Sequence, residues 1–570
     1  MTYLTENPEL FKEYKKKIDA YNKEREDQIK AYDPEFVAKC EKLLPSADVL
    51  DSEPIEGLEL LDQLLDKSEL QIVNEYSIEE LVQKQVSGEL SAVQIAHAYI
   101  KAAIVANYVT NFAMQFLIPE ALKQAQELDE YLKKEGKPKG ALHGVPVSLK
   151  EQMFFGGKPT NASYVSYIDF VPEESAASIQ ILEKLGAVFH VRTSQPQTIM
   201  HLDTWNNIIG RTRNPRSTKL SPGGSSGGES ACIGMHGSVI GHGSDIGGSI
   251  RAPAAFANLF GIRPTTKRFT LLNGLSGGKG QESVVATQGP LARSIDELDY
   301  YMNAYLNEGK PWEIDSMVVP LPWRQPSLPD VITIGVLPDD GLVTPYPSIS
   351  RGIKSVADAL SKDPRFKVID LSENWFTEEE MKELYDTTLA LYTCDGNKVQ
   401  LSMLEPSGEP ILPLTRHFLE FGGGKEHTIY SNRMMNALRD ATKTTMMKKF
   451  FNGLKLDFIL SPTNVAPAEI PGESYYWGYT SFWNLLDYPN VVFPTGLKHD
   501  VELDSKAPES LKTNDYEKKV WYNDDGSIRY NSKEYENAPV ALQLTGKRYH
   551  DEDVVAATKI IAELLNVTRV

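Results

Sequence analysis

Cysteine is scarce in this chain of 570 residues: there are three, Cys40, Cys232 and Cys394. They are far apart and form no Cys-x-x-Cys pair. That excludes a disulfide framework or a cysteine-rich zinc site and suits a reducing compartment. Long apolar runs are missing too. No stretch approaches the roughly 18–20 residues of a membrane-crossing helix. Residues 1–30 are rich in Glu and Lys and lack the apolar segment of a secretory signal. Residues 566–570 carry no retention, peroxisomal or prenylation ending. Positive charge is in deficit, with 59 Lys and Arg against 78 Asp and Glu and a formal net charge of −19. Binding to nucleic acid or to an anionic bilayer needs a basic footprint, which this composition does not supply. The expectation is a cytoplasmic protein with neither partner, and no tandem repeat of solenoid period is present.

What is there has two textures. Residues 1–75 are charged, with apolar positions at helical spacing over 9–29 and 34–44, and read as a solvated helical extension laid on the core. Ser77–Glu80 and Ser91–Gln94 are capping boxes that open helices, the second running to about residue 105. From about residue 141, short β-like runs (145–149, 188–191) alternate with helical ones (174–185). A loop-rich stretch follows Pro264. Alternation then resumes, with strands at 331–337, 367–371, 458–460 and 491–493 and helices at 348–361 and 551–565. Residues 375–455 read as a helical insertion over the remainder. This pattern predicts an α/β fold, with one large, mixed, mostly buried sheet flanked by helices on both faces. The domain expectation is an extension at 1–75 and a single unit over 76–570.

The outstanding feature is a Gly/Ser-rich segment. Residues 221–230 read Ser-Pro-Gly-Gly-Ser-Ser-Gly-Gly-Glu-Ser, and residues 241–251 read Gly-His-Gly-Ser-Asp-Ile-Gly-Gly-Ser-Ile-Arg. A phosphate cradle is disfavoured, because no Gly-Lys-Ser/Thr is present and Gly241-His242-Gly243 lacks the third fingerprint glycine. Gly223 to Gly227 fits the G-x-S-x-G elbow of α/β-hydrolases. However, the residues before it are polar and Pro-broken, and nothing marks His417, His427, His499 or His550 as the base. The third reading is a serine nucleophile with another base. Gly247 and Gly248 precede Ser249, and paired glycines let successive backbone N–H groups face one side, as an oxyanion site needs. A serine hydroxyl requires a base, and a lysine serves if burial lowers its pKa. Lys150 ends the apolar run 144–149. On the residues alone it reads equally as a strand-end lysine whose ammonium snorkels to water.

Residues 221–264 with Gly261-Ile262-Arg263-Pro264 resemble the defining segment of the amidase signature family, in its acetamidase-type branch. His143 to Lys150 is similar to that family's upstream lysine motif. Lys150, Ser225 and Ser249 stand 75 and 24 residues apart, spacings like those of the fatty acid amide hydrolase branch. Gly289 to Arg293 and residues 539–547 add support, and the resemblance covers roughly 77–565.

The resemblance implies a serine amidase that works through an acyl-enzyme. Lys150 would be the base, Ser225 the bridge after a cis peptide bond, and Ser249 the nucleophile. It places the oxyanion donors on the backbone of Ile246, Gly247, Gly248 and Ser249, and gives Ser226, Asp245 and Arg251 orienting roles. No metal or organic cofactor is implied, and a homodimer is the family's habit. The expected substrates are small aliphatic or aryl amides. The alternatives are a fatty-acid amide hydrolase and an amidotransferase subunit acting on aminoacyl-tRNA. Ile199, Met200, Trp483 and residues of the 376–455 insertion are the candidate pocket positions. Two departures from the family pattern stand out: Glu151 replaces the usual Asp, and Arg192-Thr193-Ser194 replaces Lys-Thr-Asn near the expected acyl pocket.

Overall fold

The computed structural model describes residues 5–570, so the first four residues of the predicted extension lie outside the described residues. Alternation along the strands sets the architecture. Val491 and Phe493 join one buried cluster while Val492 joins another; Leu542 and Leu544 are likewise split from Ala541, and Phe458 and Leu460 from Ile459. Successive side chains of a strand point to opposite faces, so a single sheet separates two apolar layers. Helices Ala92–Thr110, Pro347–Lys362 and Asp551–Leu565 cover one face. Helices Arg251–Phe256, Glu378–Tyr392 and Gly478–Leu486 cover the other.

The sheet has eleven strands: β1 (Ala113–Phe116), β2 (Pro146–Lys150), β3 (Val188–Thr193), β4 (Ile240–Asp245), β5 (Phe260–Arg263), β6 (Thr287–Ala292), β7 (Ile332–Val336), β8 (Phe366–Asp370), β9 (Phe458–Pro462), β10 (Asn490–Lys498) and β11 (Pro539–Thr545). Their spatial order is β1-β3-β2-β4-β6-β5-β10-β11-β9-β7-β8. Pairing is parallel for β3-β2-β4 and for β9-β7-β8, and antiparallel elsewhere. This is the mixed, two-face-covered sheet that the alternation predicts. β1, β4, β5, β6 and β11 are missing from the sequence reading; for β4 and β6, Gly, His and Pro give neither run the β-branched look of a strand.

Both capping boxes form reciprocally. Glu80 N–H donates to Ser77 Oγ (3.2 Å) while Ser77 N–H donates to the Glu80 carboxylate (2.8 Å). Ser91 and Gln94 do the same at 3.1 and 2.9 Å. The N-terminal segment is helical and lies on the core as expected, with its apolar positions turned inward. Phe36, Val37, Cys40, Leu61 and Val73 are buried in the same cluster as Ile95 and Tyr99. Helix Pro8–Tyr32 also covers the sheet's edge strand, where Arg25 donates to Ala113 O at 2.8 Å. Among the described residues, no helix is long and apolar enough to cross a membrane.

Candidate active site

Strands β2 and β4 lie side by side and parallel, with Val147 opposite Ile240 and Leu149 opposite His242. Their carboxyl ends therefore meet, the place where open α/β sheets bring loops together. Lys150 closes β2 and Ser244-Asp245 closes β4. Lys150 is fully buried. Its Nζ donates to Ser225 Oγ at 2.7 Å and to Ser244 Oγ at 3.0 Å, and Ser244 Oγ donates to Gln152 at 3.1 Å. Its assigned hydrogen bonds reach no carboxylate. Burial disfavours the ammonium and lowers its pKa to about 7, against the pull of Asp245 and Glu229. The snorkelling alternative is thereby excluded. Glu229 sits behind the lysine, where burial pushes its pKa up to about 8 although Ser148 and Thr193 donate to it.

Ser225 enters from the loop before helix Gly227–Gly234, and the Gly224–Ser225 peptide is cis. Glycine is required at 224: a Cβ there would lie 2.2 Å from Asp203 O. Ser226 ties this loop to β4. Its Oγ donates to Ser244 O at 3.2 Å and accepts from Ser244 N–H at 3.3 Å, while its N–H donates to Ser249 O at 3.1 Å. That last bond sets Ser249 beside Ser225, and both line one cavity.

Between β4 and Ser249 the chain turns around Asp245. The Asp245 carboxylate accepts from Gly248 N–H (2.9 Å), Ile250 N–H (3.1 Å), Asn484 (2.8 Å) and two nitrogens of Arg251 (both 3.1 Å). Burial alone would raise its pKa. The Arg251 charge and this set of donors instead hold it well below the usual carboxylate range. One expected oxyanion donor is therefore engaged: Gly248 N–H points at Asp245. Among the described residues, the N–H groups of Ile246, Gly247 and Ser249 have no assigned acceptor. The carbonyls of the turn are held from outside, with Tyr392 Oη donating to Ile246 O and Thr480 Oγ1 to Gly247 O, both at 2.7 Å.

The cavity over the two serines measures about 90 Å³. Its apolar wall is Ile199, Met200, Ile246, Leu271 and Leu275, with Gln152, Gln288 and Gln400 as polar points. Thr198 and Ile199 both take the left-handed region (φ 65° and 62°), which β-branched residues rarely adopt. Neighbouring bonds hold this turn: Gln197 donates to Glu409 at 2.7 Å and accepts from Leu412 N–H at 3.0 Å. One pocket expectation fails. Trp483 is 2% exposed and packs among Phe482 and Trp375 in the core, away from the cavity. Arg192 is buried with its guanidinium on the carbonyls of Glu151 (2.6 Å) and Met153 (2.8 Å), so it braces a loop and lines no pocket. Glu151 is also structural, accepting from the N–H groups of Asn161 (2.7 Å) and Ala162 (2.8 Å). None of the residues around the cavity is a histidine. His417, His427, His499 and His550 bond instead to Tyr475, Ser431, Ser532 and Asp553.

Sequence reasoning missed Ser244, Gln152, Gln400, Tyr392, Thr480 and Asn484. Ser244 was findable, since it lies inside the Gly/Ser segment one residue before Asp245. The others come from remote parts of the chain and carry no local signature.

The amidase family model matches residues 94–555. The acetamidase of Emericella nidulans is 35% identical over 88% of this chain and 91% of its own. That of Aspergillus oryzae is 34% identical over 93% and 97%. A solved fatty acid amide hydrolase superposes with a TM-score of 0.90 at 42% identity, covering 99% of this chain and 97% of that one. A bacterial aryl acylamidase shares the fold at 17% identity and a TM-score of 0.65, covering 87% and 99%. The chain belongs to the amidase signature family.

Proposed function

We propose that this amidase-family hydrolase cleaves a carboxylic amide through Lys150, Ser225 and Ser249. Neutral Lys150 takes the proton of Ser225 as Ser225 takes that of Ser249. Ser249 Oγ bonds to the amide carbon, and the resulting oxyanion is held by the free N–H groups of Ile246, Gly247 and Ser249. The proton returns from Lys150 through Ser225 to the amide nitrogen. The C–N bond breaks, the amine or ammonia leaves, and Ser249 keeps the acyl group. Water, deprotonated along the same route, attacks the ester and releases the acid.

One observation carries this reading: a buried lysine whose hydrogen bonds reach no carboxylate stands 2.7 Å from Ser225, and Ser225 lines one cavity with Ser249. A fluorophosphonate that labels active serines tests it. The wild-type protein should be labelled at Ser249 and the Ser249→Ala protein should not; undiminished labelling of the variant would remove Ser249 from the role.

The cavity favours small acyl groups. A volume of about 90 Å³ falls well short of the ~300–1,000 Å³ of sites for drug-sized ligands. A second reading, cleavage of fatty acid amides, draws support from the 42% identity to a fatty acid amide hydrolase and from the apolar wall. Ammonia release from acetamide, benzamide and a long-chain amide, measured side by side, separates the two. Turnover of the long-chain amide alone selects the second.

A further inference from the structure

Helix Glu378–Tyr392 reaches the Asp245–Ser249 turn with two tyrosines. Tyr385 and Tyr392 are seven residues apart, about two helical turns, and so share a face. Tyr385 Oη accepts from Trp477 N–H at 3.0 Å, and Tyr392 Oη donates to Ile246 O at 2.7 Å. Trp477 begins the turn into helix Gly478–Leu486, where Thr480 N–H donates to Trp477 O at 3.0 Å and Thr480 Oγ1 donates to Gly247 O at 2.7 Å. The contact is tight. A Cβ on Gly247 would stand 3.2 Å from Tyr392 Oη, and one on Gly248 would stand 2.4 Å from Thr480 Oγ1.

The consequence follows from peptide geometry. In a trans peptide the C=O of one residue and the N–H of the next point to opposite edges. Fixing the Ile246 carbonyl on Tyr392 therefore fixes the Gly247 N–H on the far edge of the same unit, away from the helix. A carbonyl that accepts a hydrogen bond also polarises its own peptide and strengthens that N–H as a donor. Rotation of this unit would otherwise be easy, because Gly247 has no side chain to restrain it.

We propose that Tyr392 is a positioning residue for amide hydrolysis, holding the Ile246–Gly247 peptide so that the Gly247 N–H meets the oxyanion. The inference rests on the proposed role of Ser249. Tyr392 touches no substrate; it acts through the backbone. The 375–455 segment would then supply the catalytic turn with its brace as well as covering the site.

The test is Tyr392→Phe, which removes one hydroxyl and keeps the ring. Rates are taken per active site, with sites counted by complete fluorophosphonate labelling of Ser249, so any unfolded fraction drops out. The expected result is a kcat lower by about 10-fold to 100-fold, below the ~10²–10³ of deleting a direct oxyanion donor, with KM within twofold. An aldehyde analogue that forms a tetrahedral adduct with Ser249 should lose affinity by the same factor, while the carboxylic acid product should not. An unchanged kcat per labelled site overturns the proposal, as does an equal loss of analogue and product affinity. Failure of the wild-type protein to label at Ser249 would instead remove the reading beneath it.

Discussion

Lys150 and Arg251 are both fully buried cations gathered around the end of β4, and they are treated in opposite ways. Lys150 meets the hydroxyls of Ser225 and Ser244. Arg251 meets both oxygens of Asp245, the Thr480 carbonyl at 3.0 Å and the Asn484 side chain. The residues that divide them, Ser244 and Asp245, are neighbours in sequence, and in a strand neighbours face opposite ways. A hydroxyl cannot compensate a desolvated ammonium, so on one side the cation gives up its proton near neutrality. A carboxylate with five donors can, so on the other side the charge stays fixed and the turn stays rigid. The same strand thus separates the group proposed to change charge from a pair held charged.

The widest break in that comparison comes from substituting each cation by methionine, which fills similar volume without charge. Lys150→Met removes the proposed base, and the rate should fall by about 10²–10⁴-fold, the usual range for a positioned acid–base group. Its Tm should be no lower than that of the wild type, because folding no longer has to desolvate an ammonium. Steady-state ammonia release and a thermal melt check both halves. A full rate in Lys150→Met would return the lysine to a structural role.

Arg251→Met should show the reverse emphasis. It strands the Asp245 carboxylate in the interior, and breaking a buried pair in this way costs about 3–5 kcal/mol. Urea unfolding should give a midpoint well below the wild type, and the folded fraction should also lose activity, because the turn that carries Ser249 loses a brace. If Arg251→Met were as stable as Lys150→Met, the two sides of β4 would not differ as argued.

The relay side was far more legible in the sequence than its brace. Lys150, Ser225, Ser249, Asp245 and Arg251 sit in two contiguous motifs, and short motifs survive reading because their spacing is set by local backbone geometry. The sheet class followed from alternation, and the final helix, Asp551–Leu565, was read to the residue. What stayed hidden was what tertiary contact decides. β4 reads Ile-Gly-His-Gly-Ser-Asp, poor in strand formers, because helix Gly227–Gly234 packs on it so closely that a Cβ at Gly241 would lie 2.0 Å from the Glu229 carboxylate. Arg192, near the expected acyl pocket in the sequence, gives no local sign of the loop carbonyls it braces. Tyr392 and Thr480 reach the turn with one hydroxyl each from more than a hundred residues away, and nothing in their own segments marks them.

The pH profile sharpens the comparison further. In the proposed relay the reactive form has Lys150 neutral, so kcat/KM should rise with pH along an acid limb centred near the lysine's pKa of about 7. Glu229 supplies the smallest test. Together with Asp245, its carboxylate favours the ammonium and so raises the lysine's pKa against the effect of burial. Glu229→Gln removes that negative charge while keeping the shape, and Ser148 and Thr193 can turn their hydroxyls to suit the amide. The ammonium loses a stabilising neighbour, so the acid limb must move to lower pH. The move should be small, because Glu229 is the weakest of the three influences on Lys150, after burial and Asp245. Asp245 stays charged throughout, since Arg251 and the backbone donors hold it, and it sets a constant background against which the shift is read. A limb that moved upward would mean that Glu229 acts on Lys150 by another route than its charge, and the division of β4 into a titrating side and a fixed side would have to be redrawn.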